Sequence, residues 1–364
     1  MAAGAPAASY GSDDHGLICG WHFRPGRPAT AVDSASAAVA LLAAFEAAGG
    51  MADSQPGGSD AAGGRPDGAD VTGFLWLHFN LSHAGAEPWM RAHTGLEENF
   101  FDELHSGSRT TRIERDGERL FGVMNDVVFD FAFDAGDVAT LWLSLGPRLF
   151  VSARRHPLRA IDRLRMAVRH GAAPASTVEL LDHLLHDQAD ELQAIVRQVV
   201  ERADLMEDDL LAGRHERHLP ELPRLRRLMA RLQRLLAPEP SALMRMLARP
   251  PAWVAPDDIA QLQAATEDFA LVLRDIAGVQ ERIKLMQDEA SARMAEESNR
   301  TLFTLTLVTV LALPINLVSG MFGMNVGGIP LGENDHGFWI MAAIIGALTG
   351  AIAWVVASRL RRRG

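Results

Sequence analysis

One stretch near the C-terminus combines residue types that could handle a cation in an apolar setting. Gly320-Met321-Phe322-Gly323-Met324-Asn325 lies within a run, Thr301 to Gly332, that has no charged residue. Counting back from Gly323 in helical steps of three and four reaches Gly320, Asn316, Leu313, Thr309, Leu305 and Leu302. Asn316 and Thr309, seven residues apart, therefore share a helix face with the two glycines. In lipid, an amide or hydroxyl is costly unless it faces a partner or a water-filled path. Two readings stand. The pair lines such a path, where its oxygens could hold a cation weakly enough to release it. Or it ties helices together and satisfies the carbonyl freed by Pro314. Just beyond, Glu333, Asp335 and His336 could concentrate cations at an entrance or form an ordinary solvated loop.

A second constellation is His183, His186, Asp187 and Asp190, at i, i+3, i+4 and i+7 on one helical face. That spacing could hold zinc, or it is a solvated face in a chain with 13 histidines. His215 and His218 around Glu216, and the acidic run Glu207-Asp208-Asp209, divide the same way between cation binding and solvated surface. Cys19 is the only cysteine, which excludes a disulfide framework and a cysteine zinc cluster. No nucleophile–base pairing, phosphate-binding loop or dinucleotide fingerprint occurs, so neither an enzyme nor a bound cofactor is expected.

The elements that must position these residues follow from charge and periodicity. The mean hydropathy of +0.02 conceals a segregation. Gly337–Ser358 is uncharged like Thr301–Gly332, and both are long enough to span a bilayer. Of the net charge of −11, residues 301–364 contribute two acids against four arginines, which leaves −13 on residues 1–300. A front end that acidic argues against nucleic acid as a partner.

The sequence reads as an α/β (α+β) N-terminal domain, then long helices, then two C-terminal transmembrane helices. Residues 1–70 hold a flexible start without a secretory signal, a small strand and helix (Ser36–Ala47), and the Gly-rich insert Gly49–Asp70. Residues 71–156 complete the domain with strands at Gly73–Leu81, Glu118–Met124, Asp126–Phe133, Ala139–Leu145 and Arg148–Ala153, and short helices at Glu87–His93 and Leu96–Leu104. Residues 157–256 are helical: Leu158–His170, Pro174–Ala212, Leu222–Leu236 and Ser241–Leu247. Residues 257–322 form one stalk helix that continues into the first span, and 323–337 form the outer loop. Residues 338–358 are the second span and 359–364 a basic tail.

The stalk carries a heptad seam. Leu262, Ala265, Phe269, Val272, Ile276, Val279, Ile283, Met286 and Ala290 are all apolar, and Arg293 and Glu297 end the stripe. Two spans put both termini on one side, and Arg359, Arg361, Arg362 and Arg363 place that side in the cytoplasm. Gly346 and Gly350 give the second span a small-residue face for close helix packing.

With two spans and a basic C-terminus around it, Gly323-Met324-Asn325 resembles the signature of the CorA-type divalent metal-ion transporters. The continuation Val326-Gly327-Gly328-Ile329-Pro330-Leu331 is similar to the zinc-transporter (ZntB) branch. Trp76-Leu77-His78-Phe79-Asn80 and Ser152-Ala153-Arg154-Arg155-His156-Pro157-Leu158 resemble segments of that branch's cytoplasmic domain. The resemblance spans roughly residues 71–364. It implies a homopentamer in the bacterial inner membrane, with a CorA-like cytoplasmic funnel and long helices converging on a pore. By resemblance, Asn325 forms a selectivity ring of neutral oxygens, with Gly323 freeing a carbonyl and Met324 holding the turn. Asn316 and Thr309 make further polar rings, and Leu302, Leu305 and Leu313 gate by excluding water. The cargo would be Zn2+, with a magnesium/cobalt channel as the alternative. From another class, a membrane-tethered signalling or scaffold protein remains. Magnesium members usually carry a Pro-Glu pair where this chain has Pro330-Leu331-Gly332-Glu333.

Overall fold

The computed structural model describes residues 11–52, 72–107, 110–134, 136–212, 220–324 and 335–360. The chain divides into two compact units, Met1–Gln287 and Asp288–Gly364.

The first unit is built on a seven-stranded mixed sheet. Its strands are β1 (Leu17–Arg24), β2 (Arg27–Val32), β3 (Phe74–Asn80), β4 (Arg112–Asp116), β5 (Arg119–Val127), β6 (Val138–Leu145) and β7 (Leu149–Arg154), in the order β2-β1-β3-β7-β6-β5-β4. β3 and β7 pair in parallel, with Trp76 opposite Phe150 and His78 opposite Ser152, while the other neighbours are antiparallel. On one face lie α1 (Ala35–Ala52), α2 (Ala86–His93) and α3 (Glu98–Ser106), packed on Leu75, Leu77, Phe79 and Val151. The other face carries α4 (Arg159–Arg169), the start of α5 (Thr177–Leu211) and α7 (Pro238–Leu247), packed on Phe74, Trp76, Leu141 and Phe150. Burial on both faces explains why β6 and β7 are apolar almost throughout, with every residue buried.

Local chemistry sets several boundaries. Ser176 caps α5 by accepting from Glu179 N at 2.9 Å, and Glu179 reaches back to Ala175 N at 2.6 Å, a reciprocal capping pair. Helix α7 begins at Pro238 rather than after it, because proline in the first turn forfeits no helical hydrogen bond. The strand expected over Asp126–Phe133 is not formed. β5 runs through to Val127, and the following residues turn, with Asp137 accepting from Ala132 N at 2.7 Å and Asp134 N at 3.1 Å. Asp134 in turn accepts from Gly136 N at 2.7 Å. These carboxylates offer the backbone an alternative to the ladder. Two features lie beyond the sequence reading: the β1–β2 hairpin as the sheet's edge, and the short strand β4. Gly73 enters β3 with φ +92°, where a Cβ would fall 1.8 Å from the carbonyl oxygen of Phe23.

Helices α5, α6 (Leu222–Leu236) and α8 (Pro256–Phe322) enclose a further core. All nine heptad positions from Leu262 to Ala290 are buried, whereas Arg293 is half-buried and Glu297 exposed, so the stripe ends where its periodicity does. Phe269, Ile276 and Ile283 interlock with Leu225, Leu228, Met229 and Leu232 of α6 and Ile195 and Val199 of α5.

The second unit contains the remainder of α8 and α9 (Gly337–Leu360). Each helix holds an 18-residue window of mean hydropathy 2.0, and none of either window is buried. A helix apolar all round and uncovered by protein calls for lipid or a partner as its solvent. On α9, Phe338, Trp339 and Trp354 are strongly exposed, placing aromatic rings toward both ends. The Gly346–Gly350 face is open, since a Cβ at either meets nothing within 4 Å.

The seam makes a stability prediction. Phe269→Ala costs about 3–5 kcal/mol, whereas Leu271→Ala, at a position 53% exposed, costs less than about 0.5 kcal/mol. Denaturant unfolding of the full chain, followed by circular dichroism, checks the contrast; equal losses would refute the seam as the core.

Candidate functional site: the polar stripe of α8

The stripe stands on a regular helix. Leu302, Thr309 and Asn316, at seven-residue spacing within α8, precede Gly323, the residue after the helix. Leu302, Leu305, Thr309, Leu313, Asn316 and Gly320 are all exposed, as are Gly323 and Met324. The Thr309 hydroxyl donates its hydrogen to the Leu305 carbonyl at 2.9 Å, and Thr306 does the same to Leu302 at 2.8 Å. With its hydrogen spent inside the helix, Thr309 presents an acceptor oxygen outward, the polarity a cation requires. Pro314 cannot donate to the carbonyl of Val310, a further acceptor four residues back. The helix closes with Gly323 N donating to Ser319 O at 3.0 Å. Asn325 and Glu333 lie outside the described residues. Asp335 and His336 are exposed, and the His336 carbonyl accepts from Ile340 N at 3.1 Å in the first turn of α9.

The structure does not gather His183, His186, Asp187 and Asp190 into one cluster. Arg163 of α4 takes the carboxylates, approaching Asp187 at 3.6 Å, Asp190 at 3.5 Å and Glu191 at 3.1 Å. His186 instead faces Asp182, whose carbonyl lies 2.9 Å from Nδ1. Burial raises Asp187 to about 6 against the opposing pull of Arg163. Among the described residues, no group of three or more His, Cys, Asp or Glu is placed to hold a metal. Of the four, Asp187 borders a cleft of about 580 Å³ between α4 and α5. Its lining includes Arg159, Arg163, Asp187 and Glu191, and those charges are neutralised within the lining. Glu207, from the acidic run, likewise pairs with Arg282 of α8, which also holds Asp204 at 2.6 Å. His215, Glu216 and His218 lie outside the described residues.

The two segments quoted for their resemblance meet across the parallel strand pair. Trp76 Nε1 donates to Ser152 Oγ at 2.9 Å, His78 Nδ1 lies 2.9 Å from the same oxygen, and Arg154 Nε donates to His78 Nε2 at 3.2 Å. An Nε2 that accepts is an unprotonated nitrogen, so His78 is neutral. Burial, then Arg154 and Arg165, hold its pKa well below the ordinary value. His78, Ser152 and Arg154 are all buried, so this network braces the sheet and has no path to substrate.

Comparison with known proteins decides the family. The family described as CorA-like Mg2+ transporter protein matches residues 71–362. The chain belongs to the CorA family. It is therefore a metal-ion transport protein and not an enzyme. It is 29% identical over 291 residues to the divalent cation transporter CmaX of Pseudomonas aeruginosa, covering 79% of this chain and 87% of that protein. It is 25% identical over 289 residues to the zinc transport protein ZntB of Yersinia pseudotuberculosis, with the same coverage of 79% and 87%. The solved structure of full-length CmaX superposes with a TM-score of 0.71 at 26% identity, covering 96% of this chain and 99% of that one. The α/β domain, long helix and paired C-terminal apolar helices are thus a CorA-type architecture.

The capture of Asp187 and Asp190 by Arg163 is testable. His183→Ala combined with Asp187→Asn leaves the number of Zn2+ ions bound per purified chain unchanged, measured by equilibrium dialysis and elemental analysis. Loss of one ion per chain would restore these residues as a metal site.

Proposed function

We propose that this CorA-family chain assembles as a homopentamer and conducts divalent cations through a pore lined by α8, with Zn2+ as the preferred cargo. The observation that carries the reading is the neutral polar stripe. Thr309 and Asn316 interrupt an otherwise apolar, uncovered helix on one face, and Thr309 offers an oxygen rather than a hydrogen. Oxygens without charge hold a hydrated divalent ion through its water shell and release it again, which carboxylates in lipid would not. In this reading Asn325 forms the selectivity ring with Gly323 and Met324 supporting it, and Gly320 keeps the pore wall thin. Leu302, Leu305 and Leu313 exclude water when the pore is shut. A membrane tether would have no use for that stripe.

Electrostatics supports the direction of cation attraction. In the first unit, the side of α8 opposite its buried seam exposes Glu267, Asp268, Asp275 and Glu281. An acidic surface raises the local concentration of cations. In the segment before α9, Glu333 and Asp335, with His336 beside them, would act in the same sense. The arginines at 359 and 361–363 follow the uncharged span 338–358 directly, which favours both termini in the cytoplasm and the 323–337 loop outside the bacterial inner membrane.

Zinc rests on the Val326–Leu331 run and on the ZntB relatives. The family description names Mg2+, which supports the magnesium channel as the second reading.

Proteoliposomes holding the purified chain and a divalent-sensitive dye test both. Zn2+ flux exceeds Mg2+, Ni2+ and Cd2+ flux. Asn325→Ala or Asn325→Leu reduces Zn2+ flux at least about tenfold, or removes its selectivity, while cross-linking still shows pentamers. Unchanged Zn2+ flux in those variants would sink the pore assignment; dominant Mg2+ flux would move the cargo to the second reading.

A further inference from the structure

Two acids are buried together where β5, α5 and α7 meet, at a place the transport path does not use. Asp126 of β5 accepts from Val127 N at 2.7 Å and from Ala160 N, in the first turn of α4, at 2.9 Å. Glu239, in the first turn of α7, has 0% of its surface exposed. Gln188 of α5 ties Glu239 to the backbone beside Asp126, donating Nε2 to the Asn125 carbonyl at 2.7 Å and to Glu239 Oε2 at 3.4 Å. Two acceptors there, Glu239 Oε1 and Gln188 Oε1, are buried without a hydrogen-bond partner.

Among the described residues, none supplies a counter-charge dedicated to the pair. The charged groups acting on Asp126 from α4 and α5 are Arg159 and Glu191. Arg159 is itself engaged with Glu191 at 3.3 Å and with the carbonyls of Phe129 and Phe131. Glu239 feels Asp126 and the Gln188 amide. The remaining polar neighbours, Thr111 and Thr140, bond the Asn125 side chain at 3.0 and 3.3 Å and carry no charge. Two ionised carboxylates so placed would repel one another in a medium that screens them poorly.

We propose that Asp126 and Glu239 form a proton-binding site, a carboxyl pair that seats α7 against the sheet while protonated and loosens it on losing its protons. Desolvation acts in that sense, raising Asp126 to about 7 and Glu239 well above the ordinary carboxylate range. A metal ion fits the place poorly. Gln188 turns its Nε2 donor, not its carbonyl oxygen, toward Glu239, and both Asp126 oxygens already accept backbone N–H groups. The effect has a route outward. Helix α7 begins at Pro238, with Ala237 alone between it and the end of α6 at Leu236, and Leu225, Leu228 and Leu232 of α6 share a core with Phe269, Ile276 and Ile283 of α8. A charge developing at Glu239 therefore bears on the helix that carries Thr309 and Asn316.

The sign follows from linkage. The folded chain keeps protons that the unfolded chain releases above about pH 4, so the site's contribution falls as pH rises from about 4 through about 7. For the purified full chain in detergent, the thermal midpoint drops between pH 5 and pH 8 by roughly 5–15 °C. Glu239→Gln and Asp126→Asn each remove at least about half of that drop. Glu239→Met, which cannot titrate and brings in no new amide, does the same if the glutamine variant folds poorly. Infrared spectra at pH 7 show a protonated-carboxyl stretch that weakens in Glu239→Gln. Identical pH slopes in wild type and the folded variants would overturn the proposal, as would absence of the band. So would a midpoint increase on adding Mg2+ or Mn2+ at fixed pH that Glu239→Gln abolishes, which would make the place a cation site.

Discussion

The interlocking of α8 with α5 and α6 is the contact on which the rest of the molecule depends. Helix α8 alone has too little to hold it over 67 residues in water, because an isolated helix gains little beyond its own hydrogen bonds. From Leu262 to Met286 it has a protein partner on one face and water on the other. From Thr301 its described residues are almost all exposed, and their apolarity suits lipid rather than water on that helix. The same helix therefore carries two different burial schemes in succession. The change falls near Ala290, where the stripe of small and aliphatic residues gives way to Arg293 and Glu297.

Charge is handled in two ways across the fold. At the surface, arginines disarm acids that would otherwise gather cations: Arg163 takes three carboxylates and Arg282 takes two. In the interior, burial works against ionisation instead, raising Asp126 and Glu239 and lowering His78. Glu267, Asp268 and Asp275 on the outer face of α8 then stand out, since they are exposed to solvent. That division gives the domain a local negative field without a strained core.

Much of this was readable in the residue order because it is local or periodic. The seam from Leu262 to Ala290 shows in steps of three and four, and each of its positions is buried. The two apolar helices show as uncharged runs, and β3, β6 and β7 show as dense apolar segments bounded by turn residues. What escaped depends on partners far away in the chain. The β1–β2 hairpin carries too few apolar residues on β2 to announce itself, and it is held by pairing with β3 about fifty residues later. The face from His183 to Asp190 has a spacing that suits zinc, and nothing near it in sequence reveals that Arg163 reaches it from another helix. Asp126 opens the strand expected as far as Phe133, yet it falls at the end of β5, and the residues beyond turn on the Asp137 carboxylate. The meeting of Asp126 with Glu239 is a product of tertiary packing alone.

The sheet order holds one more consequence. β2-β1-β3 and β7-β6-β5-β4 are each antiparallel throughout, and they join along the single parallel pairing of β3 with β7. The domain is thus two ribbons sewn along one line, and the hydrogen-bonded chain Trp76–Ser152–His78–Arg154 is the stitching across it. The second ribbon can zip from its hairpins as it is synthesised, but the seam must wait for residues 149–154 to arrive beside a strand completed about seventy residues earlier. Closure of that seam is the step at which the domain becomes one body, and the resemblance carried by Trp76–Asn80 and Ser152–Leu158 is a resemblance in its stitches.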